Sequence, residues 1–189
     1  MNYAKEGKVV IVSGPSGVGK STICREVVNR LDNAYLSVSV TTRPKSENEV
    51  DGMDYWFISK QQFQERINEG LLLEHAEVFG HLYGTPKDMV EQALQAGKTT
   101  ILEIDVKGAR QVKMIYPGTV MIFIFPPRQK DLAERISRRG REDAKTAERR
   151  LGQADDEIAA AWQYYQHMVI NEDLDQAISD VEQIIRQSQ

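Results

Sequence analysis

Residues 14–22 read GPSGVGKST. Gly14, Gly19, Lys20 and Ser21 meet the spacing G-x-x-x-x-G-K-[ST], with Pro15, Ser16, Gly17 and Val18 filling the turn and Thr22 following it. Such a turn lets successive backbone N–H groups converge on phosphate oxygens, and a helix that begins there adds the positive end of its dipole. Lys20 supplies a mobile charge, and the Ser21 hydroxyl can ligate magnesium. A glycine-rich turn of purely structural purpose explains the glycines but not the adjoining Lys-Ser. The motif fixes the donor as a nucleoside triphosphate and leaves the reaction open: hydrolysis as a switch or motor, transfer to a small molecule, or regulation.

Other residues narrow the choice. ILEIDVKG ends an apolar run with two carboxylates, Glu103 and Asp105, where P-loop proteins place acids that organise magnesium or contact the acceptor. Residues 41–57, TTRPKSENEVDGMDYWF, set two threonines, an arginine and a tyrosine in a turn-rich acidic loop, and residues 128–150 are dense in arginine. A switch GTPase of the common type would carry N-K-x-D, which does not occur, and a motor would be longer. The remaining layout encloses two phosphorylated substrates and excludes water, chemistry that needs arginines, a lysine and metal-organising carboxylates more than an acid or base. The three histidines, His75, His81 and His167, lack metal-ligand spacing and read as surface or packing residues, as Trp56 and Trp162 read as packing residues.

The elements that must position these groups follow from patterning. The chain has 189 residues, 41% apolar, which suits one domain with small insertions. Its net charge of −4 gives no broad basic field for nucleic acid. One cysteine, Cys24, excludes an internal disulfide and reads as a buried small residue. No apolar stretch is long enough to span a membrane, so a soluble cytoplasmic protein is expected. Apolar β-rich runs alternate with amphipathic stretches, which predicts an α/β class: a parallel sheet with helices on both faces. Expected strands are 8–13, 99–105, 119–127 and 167–171, with helices over 20–31, over 106–116 and after the last strand. Between Tyr35 and Tyr83 short strands, a helix opened by Ser59 as N-cap, and a glycine-bracketed turn predict an inserted antiparallel lobe. The segment around RRGRED is too poor in large apolar residues to be anchored in a core and reads as a mobile flap.

In order and spacing, SGPSGVGKST, SVSVTTR, DGMDYWF, LLEHAEVFGHLYGT, ILEIDVKGA, ERISRRGRED and VINEDLDQA resemble the guanylate kinase family over nearly the whole chain. The resemblance implies ATP-dependent phosphorylation of GMP to GDP with Mg2+, ATP and GMP as the partners, and no nucleic acid or membrane. It implies a core of about 1–34, 86–127 and 151–189, a mixed α/β GMP-binding lobe of about 35–85 and a helical lid of about 128–150, leaving the oligomeric state open. Carried across, Arg43, Tyr55 and Tyr83 match positions that grip the GMP phosphate; Glu74 matches the guanine-reading carboxylate, with Ser39 and Thr85 supplying hydroxyls around the base. Asp105 matches an acceptor contact and, with Ser21 and Glu103, a magnesium organiser, partly through water. Arg135, Arg139 and Arg150 match lid arginines on the transferring phosphoryl group, and Asn171 a residue near the donor adenine. One departure stands out: where the family reads T-T-R-x-P-R-x-G-E, this chain has Arg43-Pro44-Lys45-Ser46-Glu47-Asn48-Glu49, so Ser46 occupies the place of a second phosphate-gripping arginine, and Lys45 or a lid arginine could replace its charge. Guanylate-kinase-like domains also serve as protein-interaction modules; the intact Lys20-Ser21 pair and the arginine-rich segment favour the enzyme.

Overall fold

The computed structural model describes residues 7–128 and 144–188. Its strand β1 (Lys8–Ser13) is buried from Val9 onward, as a strand covered on both faces must be. Side chains alternate between faces: Val10 and Val12 join one apolar cluster, Val9 and Ile11 the other. Helix α1 (Lys20–Arg30) covers the first face with Ile23, Cys24 and Val27, and the last helix, α6 (Leu174–Gln187), adds Ile178, Val181 and Ile185. The opposite face is covered by Val90 of α3 (Lys87–Gln95), Ala109 and Val112 of α4 (Val106–Ile115), and Ala161 of α5 (Ala144–Tyr164).

Around β1 lies a five-stranded sheet in the order β2-β7-β1-β8-β9, every pairing parallel, with β2 (Ala34–Leu36), β7 (Thr99–Glu103), β8 (Val120–Phe125) and β9 (His167–Ile170). All five strands end at one edge. Gly14 follows β1 there, Asp105 follows β7 and Asn171 follows β9, so the chemistry-bearing residues collect where open α/β sheets bind ligands.

Between β2 and β7 a second sheet is inserted, ordered β4-β3-β6-β5, with β3 (Val40–Thr41), β4 (Trp56–Phe57), β5 (Leu72–Val78) and β6 (His81–Pro86). It is not wholly antiparallel as expected: β3 and β4 pair in parallel, Val40 opposite Trp56, because the 42–55 loop returns the chain alongside rather than folding it back. Neither tryptophan is a core residue. Trp56 is 38% exposed because β4 is a two-residue edge strand, and Trp162 is 69% exposed on the outer side of α5 with its ring against Phe125. Cys24 is fully buried, as expected.

Helix α2 (Lys60–Asn68) begins at Ser59, whose hydroxyl accepts from the Gln62 N–H while the Gln62 side chain accepts from the Ser59 N–H. Gly70 closes it with a positive φ, its N–H donating to Ile67 O and that of Leu71 to Arg66 O. Ser59→Ala is expected to lower stability by about 1 kcal/mol, read as a shifted urea midpoint with unchanged slope; an unmoved midpoint would mean that burial of Phe63 alone holds the helix.

Candidate functional site

The turn after β1 is held from behind. Val18 is buried in the core, and the Asn171 side-chain amide, itself buried, donates to the Val18 carbonyl at 2.7 Å. Gly19 has φ +105°, and a side chain there would meet that amide at 2.6 Å, so both backbone conformation and space require glycine. Asn171 therefore stands as a brace on the turn. Lys20 Nζ donates to Gly14 O at 2.5 Å and Pro15 O at 3.0 Å, parking its charge on the turn's own carbonyls. The Ser21 hydroxyl donates to Glu103 Oε1 at 2.7 Å, linking the start of α1 to the end of β7. These are two hard oxygen donors side by side at the phosphate-binding turn, a set that suits Mg2+, which takes few protein oxygens alongside phosphate and water.

Across the cleft, Glu74 and Thr85 sit directly opposite on the β5–β6 hairpin, and the Thr85 hydroxyl donates to Glu74 Oε1 at 2.7 Å. A register shift between Leu72 and Glu74 breaks the alternation of β5, so that Leu73 and Glu74 are both buried. Burial pushes the Glu74 carboxyl up to about 7, with the Asp105 charge adding to the rise and the Thr85 hydrogen bond opposing it. Asp105 caps α4, accepting from the Gly108 N–H at 2.8 Å, and this turns it toward the same cleft.

The loop between β3 and β4 closes on one carboxylate. Glu49 accepts from Arg43 Nη2 at 2.6 Å, from Arg43 Nη1 at 3.0 Å and from the Ser46 N–H at 2.8 Å. The Arg43 hydrogen bonds hold Glu49 down at about 2. The guanidinium also lies over the rings of Tyr55 and Phe57, at 5.4 and 5.7 Å. Tyr55 meets Tyr83 edge to face. Lys45 turns away to donate to the Glu49 carbonyl, whereas Ser46 faces the cavity.

These groups share one cleft of two adjoining cavities. One, of about 230 Å³, takes in the turn from Gly14 through Thr22 except Pro15 and Val18, together with Glu74 and Asp105. The other, of about 620 Å³, takes in Arg43 and Ser46. Ser16, Ser21, Tyr55, Tyr83 and Glu103 line both. Thr85 reaches the cleft through Glu74, and Ser39 is joined to the lobe by its carbonyl, which accepts from Trp56 N. Arg135 and Arg139, with the flap, lie outside the described residues; Arg150 falls on α5, its side chain outside them as well. Sequence reasoning missed Glu157 of α5, which lines the first cavity, and Phe79, which enters it from the hairpin turn at φ 51°. The Phe79-Gly80 pair, with both φ positive, carries a turn signal; Glu157 sits among other acids with nothing to mark it.

Fold and site together define a P-loop nucleotide-binding protein whose cleft carries a buried carboxylate in the cavity of the turn and a caged arginine in the cavity beside it. The family model described as guanylate kinase matches residues 6–188. The guanylate kinase of Carboxydothermus hydrogenoformans is 46% identical over 180 residues, 95% of this chain and 88% of that protein. That of Thermotoga maritima is 44% identical over 181 residues, 96% of this chain and 87% of that one. The crystal structure of guanylate kinase from Anaplasma phagocytophilum superposes with a TM-score of 0.82 at 32% identity, covering 98% of this chain and 87% of that chain. The chain belongs to the guanylate kinase family.

Because the Glu74 carboxyl titrates near 7 in the folded protein against about 4.5 unfolded, the folded state holds the extra proton between those values. Its contribution to stability is present below pH 4.5 and lost as pH rises through 7, on the order of 3 kcal/mol in all. Glu74→Gln removes that loss, so its stability relative to the parent should be higher at pH 8 than at pH 5 in paired thermal melts; a pH-independent difference would place the carboxyl in a solvated setting.

Proposed function

We propose that the cleft holds ATP on the Gly14–Thr22 turn and GMP between Arg43 and Glu74, and that the γ-phosphoryl group passes directly from one to the other. The reaction is the ATP-dependent phosphorylation of GMP to GDP. The observation that carries this reading is that one cavity joins the Gly14–Thr22 turn to Glu74, and that Tyr55, Tyr83, Ser21 and Glu103 connect it to the cavity of Arg43, so that a monophosphate spanning Glu74 and Arg43 would bring its phosphate beside the turn.

Guanine presents adjacent donors at N1 and N2, and a carboxylate accepts both; adenine offers an acceptor at N1 and no N2 amine. Glu74 reads that edge, its carboxylate held by the Thr85 hydroxyl, and Ser39 is assigned a further hydroxyl for the base. A bound base with two donors also favours the ionised form that burial opposes. Arg43 exchanges its fork on Glu49 for the GMP phosphate, and the Tyr55 and Tyr83 hydroxyls donate without adding charge. Lys20 leaves the Gly14 and Pro15 carbonyls for the transferring phosphate, and Arg135, Arg139 and Arg150 add charge from the lid side. Ser21, Glu103 and Asp105 would hold Mg2+, partly through water, which would neutralise charge on the triphosphate. Asn171 serves the donor site by fixing the turn, near the adenine. The reaction is placed in the cytoplasm. The interaction-module reading has less support, since Lys20, Ser21 and Glu74 are all present in one cleft.

In a coupled assay with Mg-ATP and a panel of monophosphates, GMP should be preferred, and Lys20→Ala should lower kcat by about a hundredfold or more while the melting temperature stays within a few degrees. Folded parent protein that turns over no monophosphate would overturn the reading.

Since Ser46 faces the cavity and Lys45 does not, Ser46→Arg should lower the GMP KM about tenfold, the worth of one well-placed charged hydrogen bond, while Lys45→Ala changes it little. Steady-state kinetics with GMP varied at saturating Mg-ATP measure both. A large rise in KM for Lys45→Ala would show that Lys45 swings in to supply the charge.

A further inference from the structure

Gly108 stands in the first turn of α4, inside the helix, where glycine is among the poorest of residues. Two ordinary reasons for a glycine are absent. Its φ is not in the left-handed region, so the backbone does not call for it. Its N–H is already satisfied by Asp105, a cap that any residue other than proline at 108 could accept. What remains is space. A methyl group built on Gly108 would stand 2.8 Å from Cδ of Glu74 and nearer still to Oε2, and all three of the nearest atoms belong to Glu74. The helix cannot back away at low cost. One turn further on the same face, Gln111 Nε2 donates to His75 O at 2.9 Å and Gln111 Oε1 accepts from His75 N at 3.3 Å, which ties α4 to β5 beside Glu74. On its other side the Glu74 carboxylate is held by Thr85 at 2.7 Å.

We propose that Gly108 is a specificity-determining positioning residue: the side chain it lacks is the space in which the Glu74 carboxylate stands, and the helix backbone at 108 fixes how far that carboxylate reaches toward the acceptor base. The inference rests on the reading of Glu74 as the group that accepts from guanine. Sequence periodicity could not point to it, because the clash is between a helix and a strand 34 positions apart (108 − 74). A side chain at 108 pushes the carboxylate out of register with the two guanine donors while leaving the triphosphate turn untouched. GMP is then read less well against AMP, and ATP is bound as before.

The test is a cycle built from Gly108→Ala, Glu74→Ala and Glu74→Asp, with Glu74→Gln as the control on base reading. Gly108→Ala is expected to raise the GMP KM and to lower the GMP-over-AMP ratio of kcat/KM, each by about tenfold or more, with the ATP KM unchanged. Adding Glu74→Asp, one methylene shorter, should recover GMP kcat/KM at least about threefold over Gly108→Ala alone, the opposite of its effect in the parent. In thermal melts Glu74→Ala should raise the melting temperature more in the Gly108→Ala background than in the parent. Should Gly108→Ala fail to fold, the double variant with Glu74→Ala is expected to fold, and its failure would overturn the inference. Additive melting temperatures would overturn it too, as would undiminished discrimination in folded Gly108→Ala when Glu74→Gln has lost it. Discrimination that survives Glu74→Gln would instead remove the guanine reading of Glu74, and the specificity claim with it, even where the melts remain non-additive.

Discussion

The cleft depends on a backbone turn that must keep its N–H groups still, and its own backbone hydrogen bond, from the Val18 N–H to Pro15 O at 3.2 Å, belongs to no helix or strand ladder. Three features hold it: the burial of Val18, the Asn171 amide on the Val18 carbonyl, and β1, paired on both sides to parallel neighbours. Because Asn171 follows β9 and the turn follows β1, the brace crosses the carboxyl edge of the sheet, and the position of the phosphate site is set by strand register rather than by the loop itself. Glu103 and Asp105 gain their positions from the same edge, Glu103 in the last β1–β7 pairing, opposite Val12, and Asp105 just beyond it.

In the inserted lobe the organising charges are mostly spent on the protein. Arg43 is forked onto Glu49, and Glu74 is buried against Thr85 with its proton affinity raised. In the proposed reaction GMP would offer each another partner: a dianion for the arginine and paired N–H donors for the glutamate. Such an exchange would couple binding of the ligand's two ends to rearrangements at two places in the cleft, so a ligand that supplies only one end would recover only part of the interaction energy. Gly108 belongs to the same arrangement, since a helix residue without a side chain is what lets a carboxylate be buried between α4 and β5.

Much of this was legible in the sequence where local physics decides. Continuous apolar runs marked β1, β7 and β8, since only strands covered on both faces carry them, and Ser59 followed by Gln62 marked the start of α2. Gly14 through Ser21 announced the phosphate turn because the glycines have backbone work that no other residue does. Pairings set by tertiary packing were not legible. The parallel match of Val40–Thr41 with Trp56–Phe57 is too short to have a period, and Trp162 and Trp56 belie their apolarity because their elements lie at the surface. Glu49 is one acid among several in an acidic loop, and Gly108 is an unmarked residue within the helix predicted over 106–116. In both cases the partner that gives the residue its meaning is chosen by the fold.

In the proposed reaction the protein aligns two nucleotides and neutralises charge, with no covalent enzyme intermediate. The stereochemical course at phosphorus tests that most directly: ATP whose γ-phosphorus is made chiral with oxygen isotopes is turned over with GMP, and the configuration of the β-phosphorus of GDP is determined. A single in-line displacement between nucleotides held in one cleft gives inversion. Retention would require two displacements through a phosphorylated side chain, and would contradict the account.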